Sequence, residues 1–539
     1  MNQQKFEFIL SKSVAHQSKA VLLGCTLLVL AASLHPVLAN LSDPFFQAVL
    51  VISGSPLHWI NTALIIAPLV GILVAGTLSD AYGRKKVFII GASGLVILSV
   101  IAFFFPTQPS QLILRALGGL FSMLMIPLGI TAVALAFDIK LRPQAFFLVF
   151  TASGLGILLR PILEEFWVTL LGSAGAANLS TIIFSVWGLI LIWRFMAESK
   201  AQTGSHRFGM LGIVLWSMAV LTLIYAFITF LGGESKESSL RALLIGLVAF
   251  GGAWWWSARE VKSWRQKMEV LEDQAVMHDT RMKQLAFALI AGVVFYFAQG
   301  ALMYQLYNYI YLIRELTSLQ IILAYIPLAL GALVMGVVTA RWLKNSSGYL
   351  MLAIAIALGG LSLIGLSILA PDTPSWWLAL MTFIFGAVLI LVNLFRSLIV
   401  LFSVSENYYG SMSAINNVTG RLGYTFGMIA STIMLLTFSF TSIENQLSSA
   451  GVSQETINSI EETIKYSYLM ENFNTTTDAA KTIPDTMKEI LSHSMGQTFL
   501  IIGISLLITA VIVWFGLKPK GTSFRGAVQQ LKPPRKGKP

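Results

Sequence analysis

Charge and cysteine are both scarce in this chain. Lys, Arg, Asp and Glu make up 11% of its 539 residues, 56% are hydrophobic and the mean hydropathy is +0.76. A soluble domain carries about 25% charge, so a soluble globular fold is excluded. Cys25 is the single cysteine, which excludes an intrachain disulfide and a cysteine-ligated zinc. Also missing are a Walker loop, an HExxH or His-x-x-x-His pair and a nucleophile elbow. The chain is therefore expected to be no enzyme and to need no cofactor or metal, and without an ATP site its energy must come from an ion gradient.

Apolar runs are what the chain has in abundance. They fall near 20–41, 57–78, 87–105, 109–137, 145–172, 177–195, 209–231, 240–258, 284–307, 319–342, 349–370, 375–404, 414–439 and 496–517. Each is close to the ~20 residues that cross about 30 Å of hydrocarbon. The pattern predicts an all-α polytopic membrane protein with fourteen spans. The first run follows Lys5, Lys12 and Lys19, and Val37-Leu38-Ala39 would pass as a signal-peptide cleavage site. It is longer than a signal core of about 7–15 residues, so a retained span is expected.

The net charge of +11 would suggest nucleic acid in a soluble chain. Here the position of the cations decides. With fourteen spans, 26 of the 36 Lys and Arg lie on the N-terminal side, 6 lie opposite, and Arg115, Arg160, Arg396 and Arg421 fall inside spans. Cations collect on the cytoplasmic side, which puts both termini in the cytoplasm. No nucleic-acid partner is expected.

Two polar interruptions divide the chain. The spacing predicts a six-helix bundle over 1–196, a two-helix insert over 197–258, a charged cytoplasmic connector over 259–283 and a second six-helix bundle over 284–518. The second bundle carries an outer loop at 440–495, and a basic tail follows at 519–539. Within the loop, "SQETINSIEETIKYSYL" and "DTMKEILSHSM" have helical periodicity and are expected to form short amphipathic helices. Six, two and six spans suggest a duplicated bundle around a midplane site.

The loop "GTLSDAYGRKK", residues 76–86, joins the second and third runs. Gly76 permits close helix packing and Gly83 a turn barred to other residues. Arg84, Lys85 and Lys86 hold the loop inside, whereas Asp80 is a helix cap or a partner for those cations. Gly76-x-x-x-Asp80-x-x-Gly83-Arg84-Lys85-Lys86 resembles the signature loop of the major facilitator superfamily, in the same place. The resemblance implies a latch: Asp80 meets the start of the thirteenth span near Ser413 and Ala414, Arg84 pairs with Asp138, and the outward-open state is favoured.

The fourteen spans and the outer loop resemble the drug:proton antiporter branch of that superfamily. So do "YQLYNYIYLIRELTSLQIILAYIPLALGALVMG" (304–336), with Pro327, and "GSMSAINNVTGRLGYTFG" (410–427), where Gly423-x-x-x-Gly427 gives close helix contact. The first half departs from the branch. Ala31 stands where an acid is usual, with His35 four residues on; Gly118 replaces a glutamine after Arg115; and "RPILEE" (160–165) replaces glycines with Glu164 and Glu165.

A charge near the bilayer centre costs about 2.5–3.5 kcal/mol even on insertion scales. Arg160 and Glu164 form an i,i+4 pair beside Pro161, and Glu165 points roughly 100° around the helix. The pair is either structural or holds one acid while the other carries a proton. Arg115 is either a coupling residue or snorkels outward, and Arg421 is expected to snorkel. His35 is a proton relay or a satisfied buried imidazole. Gln299, Tyr304, Gln305, Tyr307, Asn308 and Arg396 are candidates for the substrate cavity or for interhelical packing.

The expected function is proton-coupled export of an amphipathic small molecule or drug by alternating access. The alternatives are an anionic metabolite or lipid-like substrate, and a receptor-like homologue that does not transport. The implied location is a bacterial inner membrane, as a monomer, with substrate, protons and membrane lipids as partners. A periplasmic adaptor on the outer loop is left open.

Overall fold

The computed structural model describes residues 3–35, 71–105 apart from 73 and 77, 108–137, 141–199, 222, scattered positions from 240 to 259, 275–316, 318–342, 348–404, 409–449 and 485–517. Among them α1 runs Gln3–Leu34, α2 Arg84–Phe104, α3 Gln108–Ala136, α4 Arg142–Leu171 and α5 Leu179–Phe195. The second half has α6 Ala275–Asn308, α7 Ser318–Ala324, α8 Ile326–Trp342, α9 Gly348–Gly365, α10 Ser375–Phe402, α11 Tyr409–Ser449 and α12 Asp485–Leu517. Nine stretches among the described residues are long and apolar enough to cross a membrane.

Their outer faces say why. On α2, Phe88, Ala92, Leu95 and Ala102 are buried, yet Ile90, Ile97, Ile101 and Phe104 on the other side are exposed. A helix apolar all round needs lipid on the face that protein does not cover. This is a multi-pass membrane protein.

In the first half α1 packs against α3, α4 and α5, and its buried Cys25, Leu28, Val29 and Ala32 sit in that half's core. In the second half α6 packs against α10, α11 and α12, with Phe295 stacked on Phe385 at 5.4 Å. The halves meet where α3 touches α11 and where α4 touches α8 and α10.

Small residues set the spacing in the second half. A Cβ at Gly423 or Gly427 would overlap the carbonyl oxygens of Val293 and Phe297, and one at Gly300 would overlap that of Tyr424. The close helix contact expected at Gly423 and Gly427 is therefore formed, and the partner is α6. Gly331 and Gly386 do the same between α8 and α10, against Phe383 and Leu328.

Several helices outrun their apolar windows. α6 begins at Ala275, inside the stretch expected to be connector, and α11 continues to Ser449. "DTMKEILSHSM" is not a separate helix but the opening turns of α12, because nothing between Asp485 and the apolar run breaks the backbone ladder. The expected helix at 453–469 and the tail at 519–539 lie outside the described residues. The run expected at 319–342 is interrupted at Tyr325, two residues before Pro327, which lacks the amide a continuous helix would use. α4, by contrast, passes through Pro161 unbroken.

Candidate functional site

Asp80 lies in the last turn of a helical stretch that ends at Tyr82, and the next residue, Gly83, has a φ of +112° that is glycine's territory and lets α2 begin at once. The new helix start is capped from a distance. Lys85 and Lys86 donate their backbone N–H groups to the Glu198 carboxylate at 3.0 and 3.2 Å, and the Arg84 N–H donates to the Ser199 carbonyl at 2.9 Å. A carboxylate at a helix N-terminus is stabilising through both bonding and field. Glu198 has a faint sequence signal, an acid directly after a span, and the sequence reading misses it.

Arg84 folds back onto Asp80, with Nη2 and Nε at 2.9 and 3.3 Å from Oδ1. The other carboxylate oxygen crosses to the second half, accepting from the Ser411 backbone N–H at 2.9 Å and its hydroxyl at 2.7 Å. Ser411 lies in the first described turn of α11, so Asp80 meets that helix two to three residues before the Ser413–Ala414 position expected. Both Asp80 and Arg84 are buried. Glycines permit the approach: a Cβ at Gly76 would lie 2.5 Å from the Ala414 Cβ, and one at Gly410 would lie 2.5 Å from Asp80 Oδ1. Asp138, the expected partner of Arg84, lies outside the described residues.

Three further contacts join the halves at this end. Arg142 donates to the Tyr409 hydroxyl at 3.2 Å and lies over its ring. Ser413 donates to the Pro127 carbonyl at 3.0 Å, and Phe147 packs against Gly336 so closely that no Cβ fits there. Sequence reading counts Arg142 only among the loop cations.

The charges within the first half lie deeper. Arg160 Nε meets Glu164 Oε1 at 2.7 Å, with the arginine side chain 8% and the glutamate 28% exposed. The pair read from spacing is formed. Glu165 follows on α4, and Arg115 on α3 lies three residues before Gly118. His35 is buried at the end of α1, and its ring fills the space where a Gly118 side chain would stand.

The polar candidates of the second half turn inward. Gln305 donates to the Ser431 carbonyl at 2.7 Å, and Gln305 and Asn308 are fully enclosed. Tyr304 and Tyr307 are buried as well, while Gln299 is half-buried with an unpaired Oε1. Arg396 donates to the Asn416 carbonyl and, at 2.6 Å, to the Thr419 hydroxyl; its guanidinium sits 5.1 Å from the Tyr296 ring centre. Gly292 and Gly420 leave room for that side chain. Its partners among the described residues are neutral. Arg421 lies half-buried over the Tyr424 ring.

Such an arrangement offers two halves locked polar-to-polar at one end and a buried charge cluster well away from the lock. Comparison with known proteins identifies the fold and the family. Solved structures with the same fold include the human organic anion transporter MFSD10 (TETRAN), at TM-score 0.56 and 15% identity over 92% of this chain and 99% of that one. The proton:xylose symporter XylE aligns at TM-score 0.52 and 15% identity, over 97% of this chain and 100% of that chain. Among sequence relatives, the "Probable actinorhodin transporter" of Streptomyces coelicolor is 26% identical over 76% of this chain and 70% of its own length. The tetracenomycin C resistance and export protein of Streptomyces glaucescens is 24% identical over 65% of this chain and 64% of that protein. The Major Facilitator Superfamily model matches residues 20–428, and the chain, a transporter of small molecules and not an enzyme, belongs to that family.

Proposed function

We propose that this protein is a fourteen-span secondary exporter of amphipathic small molecules, driven by protons and working by alternating access. The observation that carries the reading is the Asp80–Ser411 lock, a carboxylate from one half seated on the start of a helix in the other. Export is supported by relatives named for antibiotic resistance and export. Proton coupling is supported by the Arg160–Glu164 pair with Glu165 beside it on α4. The 26 to 6 division of Lys and Arg supports cytoplasmic termini and a cytoplasmic lock in a bacterial cell membrane, so the conformation is closed on the inside.

A second reading, an anionic or lipid-like substrate, draws on Arg396, a buried guanidinium whose partners among the described residues are neutral. One experiment separates the two. The purified protein is placed in liposomes with an imposed pH gradient, and internal pH is followed as ethidium, puromycin or an organic anion is added. Cation-evoked collapse of the gradient is expected. Transport of any of the three without proton movement would remove the coupling, and a response to the anion alone would favour the second reading.

The lock gives a separate expectation. Asp80→Asn should fold, lose part of the charge-assisted bonding to Arg84 and Ser411, and shift the gate toward inward-open by about 1–2 kcal/mol, roughly tenfold in population. Labelling of single cysteines placed at the outer ends of α4 and α8 measures it. Labelling rates equal to those of the parent would sink the latch.

A further inference from the structure

Arg421 lies deeper than the end of a span. It is ten residues beyond Ser411 of the lock, about 15 Å at 1.5 Å per residue. That is about half of the ~30 Å hydrocarbon thickness. Its direction follows from its neighbours on α11. Ala414 and Val418 pack against Ile72, Met123 and Ile126 of the first half. Arg421 is seven residues after Ala414 and three after Val418, so it stands on the same helix face. Two bonds set the register of α3 on α11. The Thr131 hydroxyl donates to the Tyr409 carbonyl at 3.4 Å and the Ser413 hydroxyl to the Pro127 carbonyl at 3.0 Å. Numbers fall on α3 as they rise on α11, and the same register puts Arg421 about level with Gly119, which has no side chain. With the halves locked at one end, Arg421 looks into the space between them.

The charge balance around it is one-sided. The six apolar runs of the second half contain no Asp or Glu, and in the first half Glu164 is taken by Arg160 at 2.7 Å. Arg396 turns its guanidinium to Asn416 and Thr419 inside the second half, whereas Arg421 faces the first. Beside it stands Tyr424, its ring centre 5.7 Å from the guanidinium carbon. Tyr424 is buried, and its hydroxyl has no hydrogen-bond partner among the described residues. The same is true of Oε1 of Gln299, one residue before Gly300, which abuts the Tyr424 carbonyl across the α6–α11 seam. Tyr325, at the break between α7 and α8, donates to the Met303 carbonyl at 3.2 Å and is an electrostatic neighbour of Tyr424 and Tyr307. Three helices thus bring tyrosine rings and unmet hydrogen-bonding groups to the level of one arginine.

We propose that Arg421 and Tyr424 form an acid-binding subsite that takes the carboxylate of an aromatic amphiphile. The proposal rests on the exporter reading above and adds to it a second substrate class, beside cationic amphiphiles. The guanidinium fork receives the carboxylate oxygens, and the Tyr424 hydroxyl donates a further hydrogen bond to them. Gln299 Oε1 accepts from an amide or hydroxyl donor next to the acid. The rings of Tyr325 and Tyr307 offer apolar surface to the aromatic part of the molecule. An intramembrane cation facing the space between two bundles, with no carboxylate in its own bundle's spans, draws anions into that space.

The test uses the full chain in liposomes with an imposed pH gradient and radiolabelled hippurate, an aromatic carboxylate with an adjacent amide. Its competitor is hippuramide, which keeps the ring and the length but has no charge. Wild type should take up labelled hippurate, and unlabelled hippurate should compete about tenfold better than hippuramide, the discrimination that a charge-assisted hydrogen bond gives. In Arg421→Gln that preference should fall to about one, with Arg421→Lys in between, because an ammonium attracts an anion without the planar fork. Tyr424→Phe should weaken hippurate by about fivefold, as expected for one lost hydrogen bond. Equal competition by the acid and its amide in wild type overturns the subsite without any variant. So does an Arg421→Gln protein whose preference is undiminished. Ethidium transport by the same wild-type liposomes separates the two levels of the reading. Ethidium carried and hippurate not carried overturns the subsite alone; neither carried overturns the exporter reading as well.

Discussion

Glu164→Gln is expected to lower the thermal stability of the purified protein by about 3 kcal/mol, and Arg160→Met with Glu164→Leu to recover most of it. Breaking a buried ion pair strands a charge and costs about 3–5 kcal/mol, whereas replacing both partners by apolar groups is often neutral. The glutamate side chain is 28% exposed and the arginine 8%, which places the loss at the low end of that range. The single variant leaves a buried guanidinium on α4 without the carboxylate one turn away; the double variant leaves nothing to neutralise. Melting curves of the three proteins in one detergent decide it. A single variant as stable as the parent, or a double variant no better than the single, would show that the pair is not what holds Arg160.

The second large effect concerns packing. Gly427→Ala should destabilise the second half by about 3 kcal/mol or more, at the upper end of what overpacking costs. The added methyl would run into the Phe297 carbonyl of α6, and a helix backbone has no rotamer with which to retreat. Gly154→Ala on α4 is the control, since nothing lies within 4 Å of the added atom. It should cost nothing and gain helix propensity. The two melting temperatures should move in opposite directions, and equal shifts would mean that α6 and α11 are not in contact at this spacing.

Local features of the fold were legible in the sequence. The Asp80 loop is contained in eleven residues, and Arg160 with Glu164 is a single helical turn. What could not be read is contact at long separation. Glu198 caps α2 from 113 residues away, and Arg142 reaches Tyr409 across 267; neither carries a pattern that announces its partner. The sequence showed Gly118 and Ala31 as two losses and His35 as an isolated gain. Only the packing of α1 on α3 joins the first of these losses to the gain. Helix ends were misjudged for a different reason. Hydropathy marks where lipid stops, but α6, α11 and α12 carry their hydrogen-bond ladders on past the apolar runs.

The glycine-to-carbonyl seam between α6 and α11 has a mechanical consequence. For one helix to slide along the other by a turn, the residues flanking Gly300, Gly423 and Gly427 would have to pass carbonyls that only a hydrogen atom clears. The seam therefore behaves like a toothed joint, stiff to shear. α11 is about 60 Å long at 1.5 Å per residue, and, held this way, it acts as a lever arm rather than a spring. A small tilt imposed at its far end, by a ligand or by the loop it leads into, is not absorbed along its length. It is delivered at the start of the helix, to Ser411 and its hydrogen bonds to Asp80, which water can replace.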